Sequence, residues 1–315
     1  MRKSQLTRVN YESTDLGFSY ALVTVVMVVA SVVLGLIFGN SQTSLQFWVM
    51  QGAYTLLIGS SAIWYSMISK TQLFAATKLN KPPKFWHVVW GCVTIAFLVL
   101  VMSEVNKLLL DTIEDSGFER PTVNFDNNLV GLLLCACVLP AFTEELVFRG
   151  TVAQSLYNFN KVAALCISGA LFALFHCNPA QTLHQFCTGV ILTLLAFRSG
   201  SLWTSVIVHF FNNLFVVVLS YTPLDSEAFW DLSNPWALTL TIVGAFGIVV
   251  SMVVYLTTTQ SSWIPTSNKN EIAKTETESA DEANTKSVIN NKLYSVVFLV
   301  LAVVVCGILW AAQLF

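Results

Sequence analysis

Three short patterns combine residue types that can move protons or hold an oxyanion. The stretch TEELVFRG, Thr143 to Gly150, places Glu144, Glu145 and Arg149 at the end of an otherwise apolar run. Phe172 and His176 stand at i,i+4 in FALFH, and His209 and Asn213 at i,i+4 in HFFNN. Residues with that spacing share a helical face. Glu145 can therefore pair with Arg149, while Glu144 points about 100° away around the axis and is left for a different neighbour. A neutralised carboxylate beside a working one, with two imidazoles and an amide, can bind a metal. The same set can activate a water and stabilise an oxyanion.

The elements that position these groups read as membrane spans. The chain has 315 residues, 55% hydrophobic and 11% charged, where a soluble domain carries about 25% charged residues. Its apolar residues come in blocks of the roughly 20 residues a span needs, not in amphipathic stripes. Nine candidates emerge, near 17–38, 47–68, 86–110, 129–157, 162–177, 181–198, 201–221, 236–256 and 293–314. The expected fold is all-α, a polytopic transmembrane helix bundle of eight to nine spans with the chemistry in spans four to seven. Placing a carboxylate at the centre of a span costs about 2.5–3.5 kcal/mol on insertion scales. If the helix stopped at Gly150, the charges could snorkel to the headgroups. Continued through TVAQSLYN to about Asn158, it leaves the two Glu roughly 20 Å inside its end.

The expected organisation is three N-terminal spans (1–128), a core (129–222), an eighth span (223–256), a polar linker (257–292) and a final span (293–315). The linker is rich in Ser, Thr, Asn, Glu and Lys and cannot bury a core, so it reads as flexible and cytoplasmic. The last span reads as an appended helix. Arg2, Lys3, Arg8, Lys70, Lys78, Lys81, Lys84 and Arg198 fall in loops of one parity, and the acidic loops around Asp111–Glu119 and Asp225–Asp231 in the other. An inside N-terminus puts every basic loop in the cytoplasm. The net charge of −2, without a basic patch, gives no sign of nucleic acid. The seven cysteines form no CxxC pair and read as small buried hydrophobes; Cys177, next to His176, is the one kept as a candidate. His87 reads as interfacial and His184 as lying near an outer span end. Trp86, Trp90, Trp203 and Trp236 read as interface anchors.

EELVFR fits E-E-x-x-x-R, FALFH fits F-x-x-x-H and HFFNN fits H-x-x-x-N. In this order, each inside a span, they resemble the CPBP intramembrane proteases over about 129–221. That family includes type II CAAX prenyl proteases, bacteriocin-processing proteins and Abi-like proteins. The resemblance implies peptide-bond hydrolysis inside the membrane, toward its cytoplasmic side. By motif position, Glu144 polarises the attacking water, and Glu145 supports it and pairs with Arg149. His176 is a second water-activating group or a metal ligand. His209 and Asn213 are ligands or oxyanion stabilisers, and Phe172 packs beside the site. Two versions stay open. One uses Zn2+ held by residues among Glu144, His176, His209 and Asn213; the other is metal-free, with Glu144 as general base. No H-E-x-x-H occurs. The implied partners are the lipid bilayer and a peptide or lipidated-protein substrate: a CAAX-type prenylated protein, a leader or bacteriocin-like peptide, or a membrane-protein fragment. Two other classes compete: a non-catalytic immunity or scaffold protein of the same fold, and a proton-coupled transporter relaying protons through the buried Glu and His. The transporter predicts inverted repeats, and the sequence shows none.

Overall fold

The computed structural model describes residues 8–39, 43–114, 128–222, 224, 229–230, 234–263 and 282–314. Ten helices make up the bundle among the described residues. They are α1 (Asp15–Phe38), α2 (Ser44–Ile68), the short α3 (Leu73–Ala76), α4 (Phe85–Glu114), α5 (Leu129–Leu156), α6 (Lys161–Phe175), α7 (Thr182–Ser199), α8 (Leu202–Ser220), α9 (Pro235–Thr258) and α10 (Glu282–Ala311). Among the described residues the only β-type pairing is an isolated parallel bridge between Arg8 and Thr71. The expected all-α polytopic bundle is present.

Each expected span is a helix, but seven of them combine the length and apolarity needed to cross a membrane. The other two are α2 and α6. The α2 helix has 25 residues but is interrupted by Gln46, Gln51, Ser60, Ser61 and Ser66. The α6 helix is apolar but has 15 residues; at 1.5 Å per residue it covers about 22 Å of a hydrocarbon core about 30 Å thick. Large apolar side chains on α1, α9 and α10, such as Val25, Val29, Phe246, Val249, Val300 and Ile308, face outward, as a lipid-facing surface requires.

Helix ends follow local chemistry. Asn128, Asn160 and Asn234 cap α5, α6 and α9 through their side-chain oxygens. Between α6 and α7, Pro179 disfavours helical backbone at Asn178, and Cys177 adopts a left-handed φ of 47°. Asn178 then caps the turn Pro179–Gln181. The α6–α7 hairpin closes through Gly169 and Gly189: a Cβ on Gly189 would stand 2.8 Å from the Gly169 Cα. Only glycine allows the two backbones to come this near.

The basic loops gather at one end of the bundle. Arg8 exchanges backbone hydrogen bonds with Lys70 and Gln72, Lys78 reaches Asn10, the Ser201 hydroxyl donates to the Lys81 carbonyl, and Lys84 reaches Ser262. Arg198 donates to the carbonyls of Leu256 and Thr259. The stretch expected as linker therefore starts later than Thr257. The α9 helix runs to Thr258, and Trp263, 4% exposed, joins the main core with its indole N–H on the Tyr157 carbonyl. Residues 264–281 of the expected linker lie outside the described residues, and α10 begins at Glu282, earlier than expected. Its contact with α1 is intimate: the Gly17 N–H donates to Ser295 Oγ at 3.1 Å. Tyr20 and Thr24 lie against the Cys306 sulfur.

Two side chains read as interfacial sit inside. His87 is 4% exposed, with Nδ1 at 3.0 Å from the Tyr255 hydroxyl. Trp90 packs against the cluster around Ile95, Leu192 and Tyr255. Trp86 and Trp236 are exposed, as expected of anchors. All seven cysteines are free.

Candidate active site

The site is assembled on α5. Pro140 has no N–H to give, and its ring crowds the carbonyl four residues earlier. The helix accommodates this by widening to π geometry over Leu133–Val138 before resuming α geometry over Leu139–Val147. A second π segment, Phe148–Val152, follows directly after the glutamates and carries Arg149. Single π turns of this kind often mark functional positions. The helix then tightens to end at Leu156, so Glu144 and Glu145 lie in its interior and not at a frayed end.

Glu145 and Arg149 form the expected i,i+4 pair. Arg149 Nη1 donates to Glu145 Oε1 at 2.6 Å, with both side chains fully buried. Arg149 Nη2 also donates to the Gly189 carbonyl at 3.3 Å, and the guanidinium lies 4.1 Å from the Phe172 ring centre. The arginine thus ties α5 to α6 and α7. Phe172 meets Phe148, His176 and His209 edge-on, which places it beside the site.

His176 is the residue that ends α6. Its Nδ1 lies 2.8 Å from the Phe172 carbonyl. A carbonyl only accepts, so Nδ1 carries the proton and neutral Nε2 presents a lone pair. His209 on α8 is 3% exposed, and its Nδ1 lies 2.9 Å from Glu145 Oε1. Here a carboxylate orients the ring, and Nε2 faces Glu144. Both Nε2 atoms lie 3.9 Å from Glu144 Oε2. Glu144 remains 18% exposed, so it is the accessible carboxylate of the two. Asn213 is partly exposed on the same helix as His209, and its Oδ1 accepts from Asn212 Nδ2 at 3.1 Å.

The six expected residues are therefore together or adjoining. Three further groups, Ser205, Tyr54 and Asn212, were not singled out from sequence, and His184 was read only as lying near an outer span end. Ser205, one turn before His209, adjoins Glu145. Tyr54 of α2 lies within electrostatic reach of Glu144. Asn212 is buried, and His184 interacts with Asn212, His176 and His209. Ser205 was legible, since it stands at i−4 from His209. The others depend on which helices pack together. The Cys177 thiol donates to the Leu174 carbonyl and adjoins Cys306.

The donors do not fit a zinc ion as they stand. Ligands of tetrahedral zinc bonded at about 2.0–2.1 Å stand roughly 3.4 Å apart, and the Glu144-to-imidazole separations are 3.9 Å. Among the described residues no group of three or more His, Cys, Asp or Glu side chains is arranged to hold a metal.

No curated protein and no solved structure matches the chain. A protein-family model does match, over residues 126–215, the segment that holds all seven motif residues, and its description is type II CAAX prenyl endopeptidase Rce1-like. The family resemblance carried by the three motifs is thus borne out over that segment of an integral membrane protein: it is that of the Rce1-like CAAX endopeptidases.

Proposed function

We propose that the protein is an intramembrane endopeptidase that cleaves a CAAX-type lipidated or other membrane-associated peptide with a water activated by Glu144. The observation that carries this reading is Glu144 Oε2 standing 3.9 Å from both His176 Nε2 and His209 Nε2, with each ring anchored through its other nitrogen. That gap is too wide for a hydrogen bond, and a water in contact with both sides at about 2.8 Å fits it.

In this mechanism the water donates one O–H to Glu144 and the other to His176 Nε2. Its lone pair attacks the scissile carbonyl carbon as Glu144 takes the proton. The carbonyl oxygen becomes an oxyanion, held by donors from His209 and Asn213. Glu144 returns its proton to the leaving amine as the C–N bond breaks. Arg149 and Glu145 touch no reacting atom; they hold α5, α7 and the His209 ring in register.

The loop parity that places the N-terminus in the cytoplasm, and the gathering of basic residues at one end of the bundle, support an N-in orientation. The test compares peptide termini in membranes from cells carrying wild type or Glu144→Ala at equal abundance. Termini present with wild type alone are the expected result and name the substrate. Identical termini, with the wild-type phenotype retained by the variant, would move the reading to a non-catalytic scaffold.

A further inference from the structure

We propose that His184 and Asn212 form a positioning pair that aims the Asn213 amide at the substrate oxyanion. This rests on the proteolytic reading above and extends it to two residues outside the three motifs.

The argument starts from the two ends of an amide. An asparagine side chain has an accepting oxygen and a donating nitrogen. Turned one way, Asn213 offers N–H groups to an oxyanion; turned the other way, it offers an oxygen that repels one. The orientation must be set by a partner. Asn212 Nδ2 donates to Asn213 Oδ1 at 3.1 Å, which occupies the oxygen and leaves Asn213 Nδ2 free to donate elsewhere.

Asn212 then needs an anchor of its own. It is 4% exposed, and its Oδ1 is buried without a partner within hydrogen-bond distance. An unsatisfied polar atom of this kind is costly to bury, so its presence inside an apolar bundle asks for a reason. The group that interacts with Asn212 is the His184 imidazole, from the first turn of α7, within electrostatic reach of both His176 and His209. A ring N–H closing on Asn212 Oδ1 completes a chain from His184 through Asn212 to Asn213. The chain crosses from α7 to α8, so it also couples the α6–α7 hairpin, whose turn starts at His176, to the helix that carries His209. Binding of substrate would tighten it, since catalytic hydrogen bonds are often long before the substrate is in place.

The test uses the full-length protein in lipid nanodiscs and a fluorogenic farnesylated CAAX peptide, with kcat and KM measured separately and thermal unfolding recorded for every variant. Asn213→Ala should lower kcat by on the order of 10²-fold, the loss of one oxyanion donor. His184→Leu and Asn212→Leu should each lower kcat about tenfold at unchanged KM, since a misaimed donor loses part of that effect. His184→Gln, which keeps a side-chain N–H, should recover most of the rate. In an Asn213→Ala background His184→Leu should have no further effect, because coupled residues are not additive.

Wild-type kcat in His184→Leu overturns the proposal, as does an additive loss in the double variant. A stability loss without a change in kcat assigns the pair to packing and overturns it too. If wild type does not cleave this peptide, the same variants are run on the substrate named by the comparison of membrane peptide termini, and identical termini there remove the proteolytic reading and this proposal with it. Full activity in Asn213→Ala removes the oxyanion role of Asn213 while leaving Glu144 chemistry standing.

Discussion

His209 Nδ1 lies 2.9 Å from Glu145 Oε1, the same oxygen that accepts from Arg149 Nη1 at 2.6 Å. One carboxylate atom thus joins a guanidinium on its own helix to an imidazole on another. Glu145 is held inside the protein, and that leaves Glu144 as the partly exposed carboxylate of the two. The division of labour between adjacent residues follows from helical geometry, which sends neighbouring side chains to different faces.

Arg149→Ala should destabilise the protein by about 3–5 kcal/mol, the usual consequence of leaving one member of a buried ion pair alone. It should lower hydrolysis as well, because His209 loses its fixed carboxylate and Gly189 its donor. Denaturant unfolding in detergent, run alongside the peptidase assay, measures both. A variant as stable and as active as wild type would show that the buried pair does not hold the site.

Glu144→Gln should behave differently. The side chain is partly exposed, and its 3.9 Å approaches to the two imidazoles are longer than a hydrogen bond. Unfolding should therefore stay near wild type while kcat falls by about 10²–10⁴-fold, the range ascribed to general-base catalysis. Activity retained at more than a tenth of wild type would remove Glu144 from the role of base.

Chelation provides a separate check on the water-activating group. The donors stand wider apart than a zinc ion requires, so a strong chelator should leave the rate of peptide cleavage unchanged after extended dialysis. Loss of activity that returns with stoichiometric Zn2+ would show that Glu144, His176 and His209 close around a metal in the working enzyme.

Trp263→Ala should cost about 3–5 kcal/mol, typical of emptying an aromatic site in a core. Trp263 packs on Tyr157 and Phe197 and closes the end of the bundle where α5, α7 and α9 terminate. A chain ended after Trp263 should accordingly be more stable than one ended at Leu256, which also loses the Thr259 contacts of Arg198. Thermal unfolding of the two truncations decides it. Equal stability would mean that the 259–263 segment is a passive tail.

Much of the fold was legible because membrane helices are specified locally. The apolar runs gave nearly the right bounds for the long helices except α10, whose polar first turns precede its apolar run, and caps such as Asn160 and Asn234 sit where the runs begin. The length of α5 followed from the absence of a breaker after Gly150, although its two π segments did not. The Glu145–Arg149 pair was also readable, since both residues belong to one helix and need only the i,i+4 spacing. His184, by contrast, looked like a residue near a span end. Its neighbours Asn212 and His176 belong to other elements, and no local spacing reports that.

By itself the sequence determined that the chain is a bundle of membrane helices, that one of them carries a charge pair in its interior, and which residue types were available for chemistry. Those properties depend on apolar length and on positions along a single helix. The tertiary structure decided that two imidazoles from α6 and α8 point their Nε2 atoms at one oxygen of Glu144. It also decided that Gly169 and Gly189 bring α6 against α7, and that Trp263 returns to the core. Such contacts depend on which faces interdigitate. In lipid that choice is made by close packing and a few buried polar bonds, because hydrophobicity alone does not distinguish one apolar face from another.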